Sequence, residues 1–280
     1  MNEKPDVENP SSDLTPNQQK KLQVLFSISE KASANIPSLM KIRSDTALAE
    51  GARHPVDHPI SQLCDYLNAL ENTCLQAIYS IDQLTNSCEE KESASTIGNF
   101  AFYVQYYFYD FLTKVKTATD ILGLMINLIF ELNVQNERCG LNNGDLATHL
   151  RNKTSNNKDN EKVAKELDRI LNNWSQSFYH LRNAVVHRAG FPIISKSSDD
   201  FNPHRFYIQT IFATVDQRKP LEEFLKKIES KSISPIDGGL HMVNFCDEVL
   251  AHLNISVETI IELCKPQTNE FIRKNGGTGF

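Results

Sequence analysis

The sequence has no Cys-x-x-Cys pair: its six cysteines, Cys64, Cys74, Cys88, Cys139, Cys246 and Cys264, stand well apart. That spacing argues against a structural zinc site or a disulfide framework. Four of the six fall on apolar helix stripes, so they are expected to be buried, reduced thiols of a cytoplasmic protein. No apolar run is long enough to span a bilayer; the longest, 121–130, is interrupted by Gly123 and Asn127. Membrane insertion is not expected. Positive charge is also in short supply, with 29 Lys and Arg against 35 Asp and Glu for a net charge of −6. A chain of this sign is poorly suited to coating DNA or long stretches of any nucleic acid, because non-specific affinity grows with the number of phosphates neutralised. A small site engaging a few phosphates is compatible with it. Glycine-rich phosphate loops, metal-binding carboxylate clusters and Gly-x-Ser-x-Gly are missing, which argues against a nucleotidyltransferase or a hydrolase. Residues 1–15 hold no apolar run resembling a signal sequence, and Pro5, Pro10, Ser11 and Ser12 among acidic residues predict a loose tail.

What is present is amphipathic helix. The 280 residues are 40% hydrophobic, which fits one large domain or one domain with additions. Two shorter helical patterns, 16–34 and 36–53, form an expected N-terminal helical extension over 16–56. Asp57-His58-Pro59 then reads as a helix start, since proline is accepted in a first turn. From there Ile60, Leu63, Leu67, Leu70, Cys74, Ile78, Ile81, Leu84 and Cys88 keep a three-four rhythm through the first core helix. The next helix, about 96–132, opens with Phe100, Phe102, Tyr103, Tyr106, Tyr107, Phe108, Tyr109 and Phe111, which point all around the cylinder. Core and dimer packing is the preferred account of these rings, with base stacking as the other. Asp110 and Asp120 interrupt this helix and are candidates to face the motif, but the sequence gives them no partner.

Residues 133–160 are polar and rich in asparagine, and predict a mobile loop, either a closing flap or a tolerated insertion. A third long helical pattern runs from near Asn160 to Gly190. Beyond it, Pro192-Ile193-Ile194 and Phe206 to Thr214 suggest a two-strand hairpin within 191–214. Pro220 to Lys231 reads as a short amphipathic helix, 232–239 as a turn-rich link. The last helix carries Val243, Cys246, Leu250, Leu253, Val257, Ile260 and Cys264. The expected fold is all-α: an up-down helical bundle of four long core helices over 57–265, with extra N-terminal helices, a small β-hairpin insertion and a flexible tail at 266–280.

The third pattern has two faces. Val163, Leu167, Ile170, Leu171, Trp174, Phe178, Leu181 and Val185 form a core stripe, whereas Asn173, Gln176, His180, Asn183 and His187 form a second stripe that is polar but uncharged. A face turned only to water usually carries Lys and Glu. Asn, Gln and His suit directional hydrogen bonds to a partner chain, a phosphate or a sugar. Arg182 and His187 are five positions apart, roughly 140° around an ideal helix. They converge if the helix loosens at Ala189-Gly190, if the arginine stem curls round, or if a second copy supplies the missing half, which is the favoured route.

Arg182, Asn183 and His187, in this order near the end of a third core helix, resemble the signature of the HEPN superfamily of small helical bundles: arginine, a polar residue, three variable residues and histidine. A looser copy, Arg53 to His58, is interrupted by Pro55 and reads as chance. The resemblance implies a metal-independent endoribonuclease that needs no cofactor, acts on RNA as a homodimer with one composite site, and serves as a toxin or defence effector under an antitoxin or regulatory partner. The implied catalytic residues are Arg182, Asn183 and His187, and the neighbours His180 and Arg188 are expected to guide RNA. The tyrosine that some relatives carry two residues after the histidine is here Ala189, which puts control by modification of that residue in doubt. A histidine near pKa 6.5 serves as base or acid at neutral pH, and arginine binds two phosphate oxygens at once. The alternative is a non-catalytic helical scaffold or nucleotide-binding module, in which His187 sits at a helix end stabilised by the helix dipole and Arg182 forms a structural ion pair.

Overall fold

The computed structural model describes residues 36–50, 58–89, 97–153, 158–188, 193–196, 205–209, 215–228 and 239–276, with scattered positions between 23 and 34. The expected tail at 1–15, most of the first N-terminal helical pattern and the Arg53 motif copy lie outside them, except for its His58.

Among the described residues helix dominates, and the fold class is all-α. The helices are α1 (Pro37–Glu50), α2 (Pro59–Glu89), α3 (Ile97–Ile129), α4 (Asp145–Lys153), α5 (Lys158–Ile170), α6 (Gln176–Arg188), α7 (Val215–Ile228) and α8 (Met242–Lys274). No described helix is long and apolar enough to cross a membrane.

Burial follows the spacing of the apolar residues. The α2 positions Ile60, Leu63, Leu67, Leu70, Cys74, Ile78, Ile81 and Leu84 all enter the core, and so do Cys246, Leu253, Val257, Ile260 and Cys264 of α8, whereas Val243 and Leu250 are only partly covered and their neighbours Met242 and Val249 are buried. Each large apolar side chain removed from water contributes about 1.5–3 kcal/mol, so these stripes drive the helices together. Side-chain contacts give their directions. Ser80 donates to Asp110 Oδ2 at 2.7 Å, and Gln62 and Tyr66 share a groove with Leu124 and Leu128, so α2 and α3 run antiparallel. α8 runs with α3: the Phe108 and Phe245 rings are 6.0 Å apart, and further along both helices Lys274 Nζ meets Glu131 Oε1 at 2.5 Å. α6 runs against α8, since Trp174 meets Ser256 whereas Phe178 reaches Phe245 through Phe224. α1 is tied to α8 by Glu258, whose carboxylate accepts from the backbone N–H groups of Ser38 and Leu39 at 3.0 and 3.2 Å, satisfying donors that a helix start leaves open.

Three expectations need correction. The loop predicted over 133–160 contains a 3-10 turn (Asn136–Arg138) and α4, and buries Val134, Cys139, Leu141, Leu146, Ala147 and Leu150. Asn127 holds its start in place, its side chain donating to the carbonyl and accepting from the N–H of Val134, both at 3.0 Å. The apolar residues there are too thinly spread among asparagines and glycines to show a helical period. Secondly, the predicted tail from 266 is helix through Lys274, because Phe271 and Ile272 are buried and their packing outweighs Pro266. Thirdly, the motif pattern is not one continuous α-helix: α5 and α6 are joined by a π-helical turn, Leu171–Ser175.

Beside the helices lies a small antiparallel sheet in the order β1-β2-β3. β1 (Ile193–Lys196) pairs with β2 (Arg205–Gln209), Ile193 standing opposite Ile208. β3 (Gly239–His241) adds to the other edge of β2, with Tyr207 opposite His241, where the sequence predicts only the end of a turn-rich link.

Candidate functional site

The motif helix is positioned by the turn that precedes it. Core residues Ile170, Trp174 and Phe178 are spaced four and four, wider than the 3.6-residue α-helical turn. The π turn takes up this spacing with its i→i+5 bonding, so all three stay buried. Two side-chain hydrogen bonds then fix the entry to α6. Trp174 Nε1 donates to Ser256 Oγ at 3.1 Å, and the buried Ser175 Oγ donates to the Leu141 carbonyl at 2.5 Å. Phe178, Leu181, Ala184 and Val185 continue the buried face, while Leu171, assigned to the core stripe by its spacing, is only partly covered.

The polar face follows from this anchoring. Asn173, Gln176 and His180 are exposed, and Arg182 and Asn183 are half-buried. Arg182 Nη1 donates to Asn183 Oδ1 at 3.1 Å. The guanidinium is thereby drawn around the helix onto the side of Asn183, from which His187 is one further turn along. The contact turns the arginine stem toward its sequence neighbour within one chain. His187 and Arg188 belong to α6 by their backbone; their side chains lie outside the described residues.

One turn before Asn183, Tyr179 extends this face. Its ring meets the His180 imidazole edge-on, centroids 5.8 Å apart, and Lys116 Nζ of α3 lies 5.3 Å from its centroid, a cation over an aromatic face. Both carboxylate oxygens of Asp120 hold the same ammonium at 2.5 Å. Asp120 is therefore on the motif side of α3. Asp110 is not: it accepts from Ser80 of α2 and lies 3.8 Å from Lys114. Lys116 and Tyr179 carry no role on sequence grounds. Lys116 and Asp120, four apart on α3, form an ion pair in the structure, and nothing local in the sequence tells which helix that pair faces. Among the described residues, no group of three or more His, Cys, Asp and Glu is placed to hold a metal ion.

A family model described as Cthe2314-like HEPN matches residues 61–237, more than half of the 280-residue chain and including the whole Arg182 to His187 motif. No curated protein and no solved structure gives a significant match. The matched region takes in α2 to α7 and stops short of α8.

Proposed function

The chain belongs to the Cthe2314-like HEPN family, and from that premise we propose that it is a metal-independent endoribonuclease, working in the cytoplasm as a homodimer on an up-down bundle of α2, α3, α5–α6 and α8. The observation that carries this reading is the hydrogen bond from Arg182 to Asn183, which gathers two of the three motif residues on one side of α6, one turn ahead of the His187 backbone.

On this reading the chemistry is divided between two copies. His187 of one copy takes the proton from the RNA 2′-hydroxyl, whose oxygen attacks the adjacent phosphorus. His187 of the other gives a proton to the departing 5′-oxygen, so a 2′,3′-cyclic phosphate and a 5′-hydroxyl result. Each such proton transfer is typically worth about 10²- to 10⁴-fold. Arg182 neutralises the charge that builds on the phosphorane, and Asn183 holds the guanidinium plane. His180 and Arg188 border the substrate path. A nuclease of this kind injures its own cell unless restrained, which fits a toxin or defence effector with an antitoxin or other regulatory partner.

The test is incubation of purified protein with mixed RNA and a chelator, beside His187→Ala. Fragments ending in 2′,3′-cyclic phosphate are expected from the wild type only. Absence of cleavage between about pH 5 and 9, where a histidine pair titrates, leaves instead the non-catalytic scaffold or nucleotide-binding module that the net charge of −6 favours.

A further inference from the structure

A cleft of about 460 Å³ lies between the second half of α2 and the first half of α8. Its α8 wall is Val243, Asp247, Leu250, Ala251 and Asn254, which share about 100° of the helix surface. Ile78, Ile81 and Asp82 form most of the α2 wall, and Lys31, a described position ahead of α1, stands at the rim. The α8 wall and Lys31 fall outside the matched residues 61–237, so the cleft is a feature of this chain beyond its family core.

Two independent observations mark it as a binding site. The first is Asn254, which is 6% exposed and whose Oδ1 meets no hydrogen-bond donor among the described residues. A buried carbonyl oxygen left without a donor is costly, and this side chain lines the cleft.

The second is charge. Two carboxylates, Asp82 and Asp247, line the cleft against one lysine. Lys31 Nζ lies 3.6 Å from Asp82 Oδ1, and Asp82 Oδ2 accepts from Asn86 Nδ2 at 3.2 Å. Asp247 is served less well. Its side chain reaches solvent, yet the protein packed around it pushes its carboxyl above the ordinary carboxylate range, and Lys31 only draws it part of the way back. The cleft is short of positive charge.

We infer that this cleft binds a linear aliphatic diamine or polyamine, with one ammonium at Asp82 and Asp247, the other at the amide of Asn254, and the carbon chain along Ile78, Ile81 and Leu250.

Lys31 already presents this chemistry, an ammonium on an aliphatic stem that acts on both carboxylates. Asp247 and Asn254 are two turns apart, about 10 Å along the axis, and a chain of about eight atoms between two nitrogens covers that distance at bonds of about 1.5 Å. Ala251, between them on the same face, contributes only a methyl group and leaves the space open. A divalent metal ion fits less well: it takes about six oxygen ligands, and most of the lining here is hydrocarbon. An anion is opposed by the two carboxylates.

The experiment is calorimetric titration of the full chain, freed of RNA, with spermidine at low ionic strength, where charge pairs are little screened. One saturable equivalent per chain is expected. Asp247→Asn is expected to weaken binding about 10-fold or more, since it removes a charge-assisted contact, and Ala251→Leu to weaken it similarly by filling the cleft without changing its charge. Ala251 is exposed, so leucine there disturbs no core packing, and far-UV circular dichroism checks that each variant folds. Butylamine, with one ammonium, is expected to bind about 10-fold or more weaker than spermidine. Asp65→Asn, which makes the same charge change on the first half of α2, is the control and is expected to bind as the wild type does. Failure of the wild type to saturate overturns the inference, and so does equal weakening by Asp65→Asn, which reduces the effect to net charge. Stoichiometric displacement of spermidine by magnesium assigns the carboxylates to a metal ion instead. None of these readouts involves RNA cleavage, so the result stands apart from the nuclease reading.

Discussion

The indole N–H of Trp174 donates to the hydroxyl of Ser256 at 3.1 Å, joining the π turn that launches the motif helix to a helix outside the family match. Ser256 Oγ in turn donates to the His252 carbonyl at 2.8 Å, and the His252 ring lies 6.3 Å from that of Trp174. The face that carries Arg182 is thus set by α8 as well as by its own helix.

Removing the Ser256 hydroxyl strands a buried indole donor. Ser256→Ala is expected to cost about 1–3 kcal/mol of stability, seen as a lower urea midpoint with an unchanged slope.

Gly123 lies within α3, where alanine ordinarily gains about 1 kcal/mol. Here an added Cβ runs into the backbone carbonyl of Cys139, in the segment that Asn127 ties down. Gly123→Ala is expected to destabilise by about 2 kcal/mol or more, measured as a lowered thermal midpoint by circular dichroism.

The guanidinium held by Asn183 is a flat fork that lysine does not reproduce. Arg182→Lys is expected to slow RNA cleavage roughly 10²-fold or more with little change in the unfolding midpoint. Asn183→Ala is expected to have a smaller effect on cleavage, since it releases the guanidinium without removing it. Equal rates in single-turnover assays for Arg182→Lys and wild type speak against a role at the phosphate.

Burial is the main cause that pushes the thiols of Cys74 and Cys264 up to about 12 from an ordinary 9.0, with Glu71 and Glu258 adding to it at Cys74. The unfolded chain loses these protons above pH 9.0 while the folded chain keeps them to about 12, so their contribution to stability falls as pH rises through that window. Urea titrations between pH 8 and 10 are expected to show the onset of the decline, reduced in a Cys74→Ala/Cys264→Ala variant. At pH 8 a disulfide reagent is expected to label neither thiol until denaturant is added.

Much of the motif helix was legible in sequence because its pattern is local. Arg182, Asn183 and His187 share one helix, and a helix places residues at known angles, so the polar stripe, the core stripe and their opposition could be read from spacing. The all-α class followed for the same reason, since each long apolar stripe demands a partner. What spacing does not contain is the neighbour across the gap. That Asp120 holds Lys116 over Tyr179, that Asn127 clamps Val134, and that Leu146 and Leu150 of a polar segment are buried are contacts made when distant stretches of chain meet. The direction of the Arg182 stem belongs to the same category, because a flexible side chain takes the rotamer that its surroundings reward. The sequence alone therefore determined which residues share a helix face; the packing of α3 and α8 against α6 decided what that helix meets, because only tertiary contact brings Lys116 to the Tyr179 ring and Trp174 within hydrogen-bond reach of Ser256.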